Sequence, residues 1–280
     1  MAEIRTWKLR IAFDGTQLNG WQIQDDVPSV QEEVQKALAR LYDVPETHVN
    51  GSGRTDAGVH ALGLCASFEE PKPSRFQGDG LRKGINALLP ASIRVLAADE
   101  AAPKFHGRYN CIGKTYCYIV DNAAVPNPLF SRYAWHHRMK LDIDKMNQAA
   151  SCLEGTHDYS AFTVKRAELK GDAIRTILRA GVVPMGSFLI FHFTGTGFLY
   201  KQVRSMTGEL IEIGLGKAPP SRTAEVLAGG QRALAGQTAP AHGLILLECC
   251  YSGDALADAA CCDIKSRLLD KLFNFSAPPL

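Results

Sequence analysis

At 280 residues, with 46% hydrophobic and 21% charged residues, the chain is long enough for one large or two ordinary domains and too apolar to be disordered. No apolar run approaches the ~20 residues that cross a bilayer, and residues 1–7 are polar where a signal peptide would begin, so a cytoplasmic protein is expected. The formal net charge of +2 says little by itself.

Residues 8–14 alternate, with Leu9, Ile11 and Phe13 on one face, and predict a half-buried strand. A helix opens at Ser29, where Glu32 completes a capping box, and its apolar face is Val30, Val34, Ala37, Leu38 and Leu41. Residues 50–60 are rich in glycine and polar groups and lead into a short apolar strand over 62–68. The pattern then predicts a helix over 75–89, weakened by Gly78, Gly80 and Gly84, and a strand over 93–97.

In the second half, residues 115–120 alternate, with Tyr116, Tyr118 and Val120 sharing a face. Asp142 caps a helix whose stripe is Ile143, Met146, Ala150 and Leu153. Residues 173–183 and 187–194 predict a strand pair joined through Pro184-Met185-Gly186. Residues 198–214 predict a helix that buries Val203, Met206, Leu210 and Ile213. On it Tyr200, Arg204 and Gly208 form an i, i+4, i+8 stripe, where Gly208 leaves room for something bulky beside Arg204. A short helix follows Pro219-Pro220, and residues 244–251 form a closing strand. Paired strands with interposed helices imply an α+β fold made of two helix-backed sheets. The expected domains are residues 1–103 and 104–253, with 254–280 as an extension that packs or stays loose.

The cationic residues are unevenly spread. Between residues 104 and 140, Lys104, Arg108, Lys114, Arg132, Arg138 and Lys140 face Asp121 alone. Between 163 and 204, Lys165, Arg166, Lys170, Arg175, Arg179, Lys201 and Arg204 face only Glu168 and Asp172. A basic middle in a near-neutral chain fits a polyanion-binding surface, as it fits solvated lysine faces. The eight cysteines include no C-x-x-C, so no metal site is expected.

Residues 51–60, Gly-Ser-Gly-Arg-Thr-Asp-Ala-Gly-Val-His, crowd reactive side chains among three glycines. They fit neither a P-loop nor a dinucleotide fingerprint, and the chain has no G-x-S-x-G and no H-E-x-x-H. Arg54 two residues before Asp56 suits a carboxylate kept ionised as a nucleophile, and equally a pair that braces a glycine turn.

The stretch Gly53-Arg54-Thr55-Asp56-Ala57-Gly58-Val59-His60-Ala61 resembles the signature of the tRNA pseudouridine synthase A family. Phe13-Asp14-Gly15-Thr16, Gly20-Trp21-Gln22, Lys114-Thr115-Tyr116, His157-Asp158-Tyr159-Ser160, Val203-Arg204 and Gly243-Leu244 resemble further landmarks, in family order. Phe13, in place of a commoner tyrosine, and Tyr200-Lys201, where histidines are common, depart from the pattern. The resemblance implies a fold of two similar domains, each an antiparallel-rich sheet backed by helices, with a central cleft. It implies Asp56 as nucleophile accompanied by Arg54, Arg204 as its ionic partner, and Tyr116 and Leu244 against the target uracil. It also implies a homodimer acting without cofactor or metal on positions 38, 39 and 40 of the tRNA anticodon arm. A zinc deaminase would need a His/Cys/Cys motif that the chain lacks. A non-catalytic tRNA-binding module would not need these four polar residues together.

Overall fold

Strand β1 (Thr6–Phe13) opens the chain, and helix α1 (Val30–Tyr42) follows it. Next come β2 (Asn50–Gly51), β3 (His60–Glu69), α2 (Gly78–Leu88) and β4 (Ile93–Ala101). The later elements are β5 (Gly113–Asp121), β6 (Trp135–His136), α3 (Ile143–Ser151), β7 (Gly155–Asp158), β8 (Ile174–Met185) and β9 (Phe188–Gly195). The chain closes with α4 (Gln202–Gly214), α5 (Arg222–Gly229), β10 (Leu244–Cys250), α6 (Gly253–Cys261) and α7 (Ile264–Phe273). This computed structural model describes residues 4–164 and 172–274. Lys165, Arg166, Glu168 and Lys170 of the basic stretch lie outside the described residues.

Mixed strands and helices make the fold α+β, in two compact units. The first comprises Met1–Cys111, Leu246–Tyr251 and Leu268–Leu280, and the second Ile112–Ile245 and Ser252–Arg267.

In the first unit the strand order is β4-β1-β3-β10, and β1 runs antiparallel to both β3 and β4. The alternation in β1 works as expected, with Leu9, Ile11 and Phe13 buried. Ser29 Oγ accepts from Glu32 N–H and starts α1. That helix buries Val30, Val34, Ala37 and Leu38 as expected, but Tyr42 in place of Leu41, because the phenol donates to the buried Glu70 carboxylate at 3.0 Å. Trp7 Nε1 and Arg5 donate to the same group, at 3.0 and 2.9 Å, so a buried charge is matched by several donors.

In the second unit the order is β5-β9-β8-β7, all antiparallel, with β6 parallel to β5. Two features differ from the sequence pattern. The β8–β9 turn lies at Gly186, whose φ is +62°, so Pro184 stays in β8 opposite Leu189. There β8 has outrun β7, whose pairing ends at residue 177, and an edge position tolerates the missing N–H. Helix α4 starts at Gln202 rather than at residue 198, because Lys201 adopts φ +59° and breaks the helical path. Residues 252–273 are largely helical, as α6 and α7.

His192 on β9 is almost fully buried, and burial, then the Arg179 charge, lowers its pKa to about 4. The unfolded chain therefore binds the extra proton between pH 6.5 and 4. This stability is complete above the unfolded pKa and is lost as pH falls toward the folded one. The protein should lose about 2 kcal/mol more than His192→Leu between pH 7 and pH 5. Urea midpoints at the two pH values check it, and equal losses would clear His192.

Candidate active site

Arg54 and Asp56 sit in the loop between β2 and β3, in the first unit. Ser52 N–H donates to Cys65 O at 2.7 Å and carries the contact with β3 one residue past β2. Three further bonds fix the loop against the segment after β1. Trp21 N–H donates to Thr55 O at 3.3 Å, Gly58 N–H to Leu18 O at 3.3 Å, and Gly15 N–H to His60 Nδ1 at 3.0 Å. Val59 N–H closes a turn on Asp56 O at 3.2 Å. Gly20 has φ +80°, and a Cβ there would lie 2.1 Å from Thr55 O, so only glycine allows this approach. The Asp14-Gly15 and Gly20-Trp21 landmarks are thus the bed on which the Asp56 loop rests.

Asp56 is half-buried and Arg54 exposed. Backbone bonds to residues 18 and 21, and the Gly15 bond to His60, brace this turn. His60 is buried, and its Nδ1 accepts from Gly15 while Asp14 Oδ1 lies 3.2 Å away. With Nδ1 accepting, neutral His60 carries its proton on Nε2. Asp14 Oδ1 is meanwhile taken by Thr16 N–H at 3.0 Å. His60 is therefore a bracket for the loop. Thr55 Oγ1 is buried with no hydrogen-bond partner among the described residues.

Tyr116, Arg204 and Leu244 belong to the second unit. Tyr116 on β5 stands opposite Phe193 and is 8% exposed, with its ring edge-on to Phe198 at 5.1 Å. Leu244 opens β10 and is buried. Arg204 on α4 is half-buried; its Nε donates to Ala239 O at 2.8 Å, and Ala239 N–H donates to Arg204 O at 3.0 Å. Tyr200 precedes α4, so the expected stripe reduces to Arg204 and Gly208. The space at Gly208 is filled by main chain: a Cβ there would lie 1.6 Å from Gln237 O.

The segment 236–239 that grips Arg204 is itself pinned, by residues the sequence reading passed over. Glu209, fully buried, accepts from Gly236 N–H at 2.7 Å, and Glu212 accepts from Gln237 N–H at 3.1 Å. Arg222 ties both carboxylates, with bonds of 2.8 and 3.0 Å to Glu209 and 2.8 Å to Glu212. Burial works against ionised Glu212, yet the Arg222 bonds hold its carboxyl below the usual range. One signal could have found the device: Glu209 is an acid on a helix that is buried nearly all round.

The same chain segment continues past Pro240, whose carbonyl accepts from Tyr118 OH at 2.8 Å, and reaches Leu244. Arg204, Leu244 and the tyrosine face of β5 thereby share one neighbourhood of the second unit.

A family model described as tRNA pseudouridine synthase matches residues 149–252. The tRNA pseudouridine synthase A of Streptococcus mutans is 42% identical over 247 residues, covering 88% of this chain and 98% of that protein. The tRNA pseudouridine synthase A of Syntrophotalea carbinolica is 41% identical over 245 residues, 88% and 96% of the two chains. The tRNA pseudouridine synthase A 2 of Clostridium tetani is 37% identical over 250 residues, 89% and 99%.

Proposed function

The chain belongs to the tRNA pseudouridine synthase A family, and we propose that it converts uridine to pseudouridine at positions 38, 39 and 40 of the tRNA anticodon arm, with Asp56 as nucleophile. The observation that carries this reading is the loop geometry. A half-buried carboxylate sits on a loop that is fixed in place by bonds to residues 15–21.

The reaction moves uracil from an N1 to a C5 glycosidic link with no net redox change. The base must be released, turned and rejoined. Ionised Asp56 can add to C6 of the base, attack C1′, or promote elimination to a glycal, and all three routes need the same carboxylate. Arg54 and Arg204 are the arginines assigned to act with it. Tyr116 and Leu244 hold the freed uracil. Extruding the base costs a few kcal/mol, which phosphate contacts by the basic residues offset. The protein acts as a cytoplasmic homodimer, and light scattering should return twice the chain mass. Among the described residues no helix is long and apolar enough to cross a membrane.

The test is tritium release from tRNA labelled at uracil C5, followed by mapping of the modified positions. Release with modification at 38–40 is expected. No release would sink the synthase reading, and modification elsewhere would remove the anticodon assignment.

Glu209 is a positioning residue for Arg204. Glu209→Gln keeps an acceptor for Gly236 N–H but loses the charge facing Arg222. A shift of Arg204 by a fraction of an ångström should lower kcat about tenfold with KM nearly unchanged. A purely structural Glu209 would lower the unfolding midpoint and leave kcat intact.

A further inference from the structure

Residues 122–141, between β5 and α3, play no part in the proposed chemistry. With β5 and the turn before β10 they border a recess of about 210 Å³ whose walls include Asp121, Asn127, Phe130, Trp135, His136 and His242. Trp135 stands edge-on to Tyr118, ring centres 6.5 Å apart. Tyr116 lies two residues from Tyr118 on the same face of β5, roughly 7 Å along the strand. His242 precedes Leu244 by two residues. The recess is thus linked to the residues assigned to the target uracil through Tyr118 and His242. Its size is below the ~300–1,000 Å³ of pockets for drug-sized ligands, which suits a single base.

The walls decide what kind of group enters. Aromatic and imidazole faces stack unpaired bases. The Asp121 carboxylate accepts from Ala123 N–H at 3.1 Å and Asn127 N–H at 2.8 Å. About four lone-pair sites on a carboxylate leave two more for a ligand donor. Its charge repels a phosphate and attracts an exocyclic amine. Asn127 Oδ1 accepts from Leu129 N–H at 3.0 Å, while its amide NH2 has no hydrogen-bond partner among the described residues. An acceptor and a donor side by side match an amino group next to a ring nitrogen, as in adenine and cytosine. Around the recess, Arg132, Arg138 and Lys140 are exposed on the same segment and can take the flanking phosphates.

We propose that this recess binds an unpaired adenine or cytosine of the substrate RNA adjacent to the target uridine. The proposal rests on the synthase reading and extends it to a second base. It makes residues 122–141 a substrate-reading element.

The experiment uses tRNAs labelled at C5 of the target uracil, each carrying one abasic nucleotide one or two positions to either side of the target. For one of these substrates the native enzyme should show a KM raised about tenfold, with kcat within twofold, the size of one lost stacking contact. Trp135→Ala should raise KM about tenfold on intact tRNA and add nothing on that abasic substrate. Asn127→Asp, which keeps the bond to Leu129 N–H and replaces the donor, should repeat the pattern without touching the aromatic packing. Unchanged KM across the abasic series, or variant and abasic effects that multiply, would overturn the proposal while leaving the synthase reading intact. No tritium release by the native enzyme on intact tRNA would overturn the synthase reading, and this proposal with it.

Discussion

Asp56→Ala should reduce tritium release by about 10⁴-fold or more, the scale on which removal of a covalent nucleophile is felt. In free energy that is over ~5 kcal/mol of lost transition-state stabilisation. The protein should stay folded, because bonds that do not use the Asp56 side chain shape the loop. Thr55 O still accepts from Trp21, Asp56 O still accepts from Val59, and His60 still receives Gly15 N–H. The affinity for unmodified tRNA should hold within about threefold, since phosphate contacts dominate it. Asp56→Asn preserves shape and loses the nucleophile, so it should fall as far as Asp56→Ala. Asp56→Glu moves the carboxylate by one methylene, which should leave a small residual rate. Unimpaired release by Asp56→Ala would remove Asp56 from the chemistry while leaving the enzyme a synthase.

How much of this was legible in the chain depends on the range of the interaction. The strand at Leu9, Ile11 and Phe13 and the cap at Ser29 are local patterns, and both appear where the pattern puts them. The start of α4 was misplaced because Phe198, Leu199 and Tyr200 continue its apolar run. What stops the helix is the left-handed Lys201, set between Thr163 Oγ1, which donates to Tyr200 O, and Gln202, whose side chain accepts from Leu199 N–H. No pattern marks a lysine for that conformation. The two-residue strands β2 and β6 were invisible, since a strand that short is defined by its neighbour. Nothing in residues 246–251 beyond a strand pattern says that they pack in the first unit.

The candidate site divides in the same way. The Asp56 loop announced itself by composition, since few stretches hold arginine, aspartate and histidine among so many glycines. Its dependence on residues 15–21 did not, because those partners lie some forty positions away and bond through main chain. The clamp on Arg204 was hidden for a related reason. Residues 236–239 carry no distinctive side chains; their value lies in carbonyls and N–H groups that Glu209, Glu212 and Arg204 happen to reach.

Arg204→Met should lower kcat about 10³-fold, near the upper range for losing one preorganised electrostatic group. The geometry gives the reason for expecting an effect on turnover rather than on folding. The Nε bond to Ala239 O aims the guanidinium, but the segment it touches does not depend on it. Ala239 N–H still donates to the main-chain carbonyl of residue 204, and Glu209 and Glu212 still hold Gly236 and Gln237. The fold should therefore survive the substitution. Arg204→Lys restores the charge without the planar fork, so it cannot bond Ala239 O and present a second donor edge at once. It should recover about tenfold of the loss, no more. Added methylguanidinium should partly restore turnover in Arg204→Ala, which keeps space for it, and should leave Asp56→Ala inert. Full activity in Arg204→Met would reduce this arginine to a brace for residues 236–239, and rescue of both variants alike would show that the guanidinium acts on the RNA and not at the reacting centre.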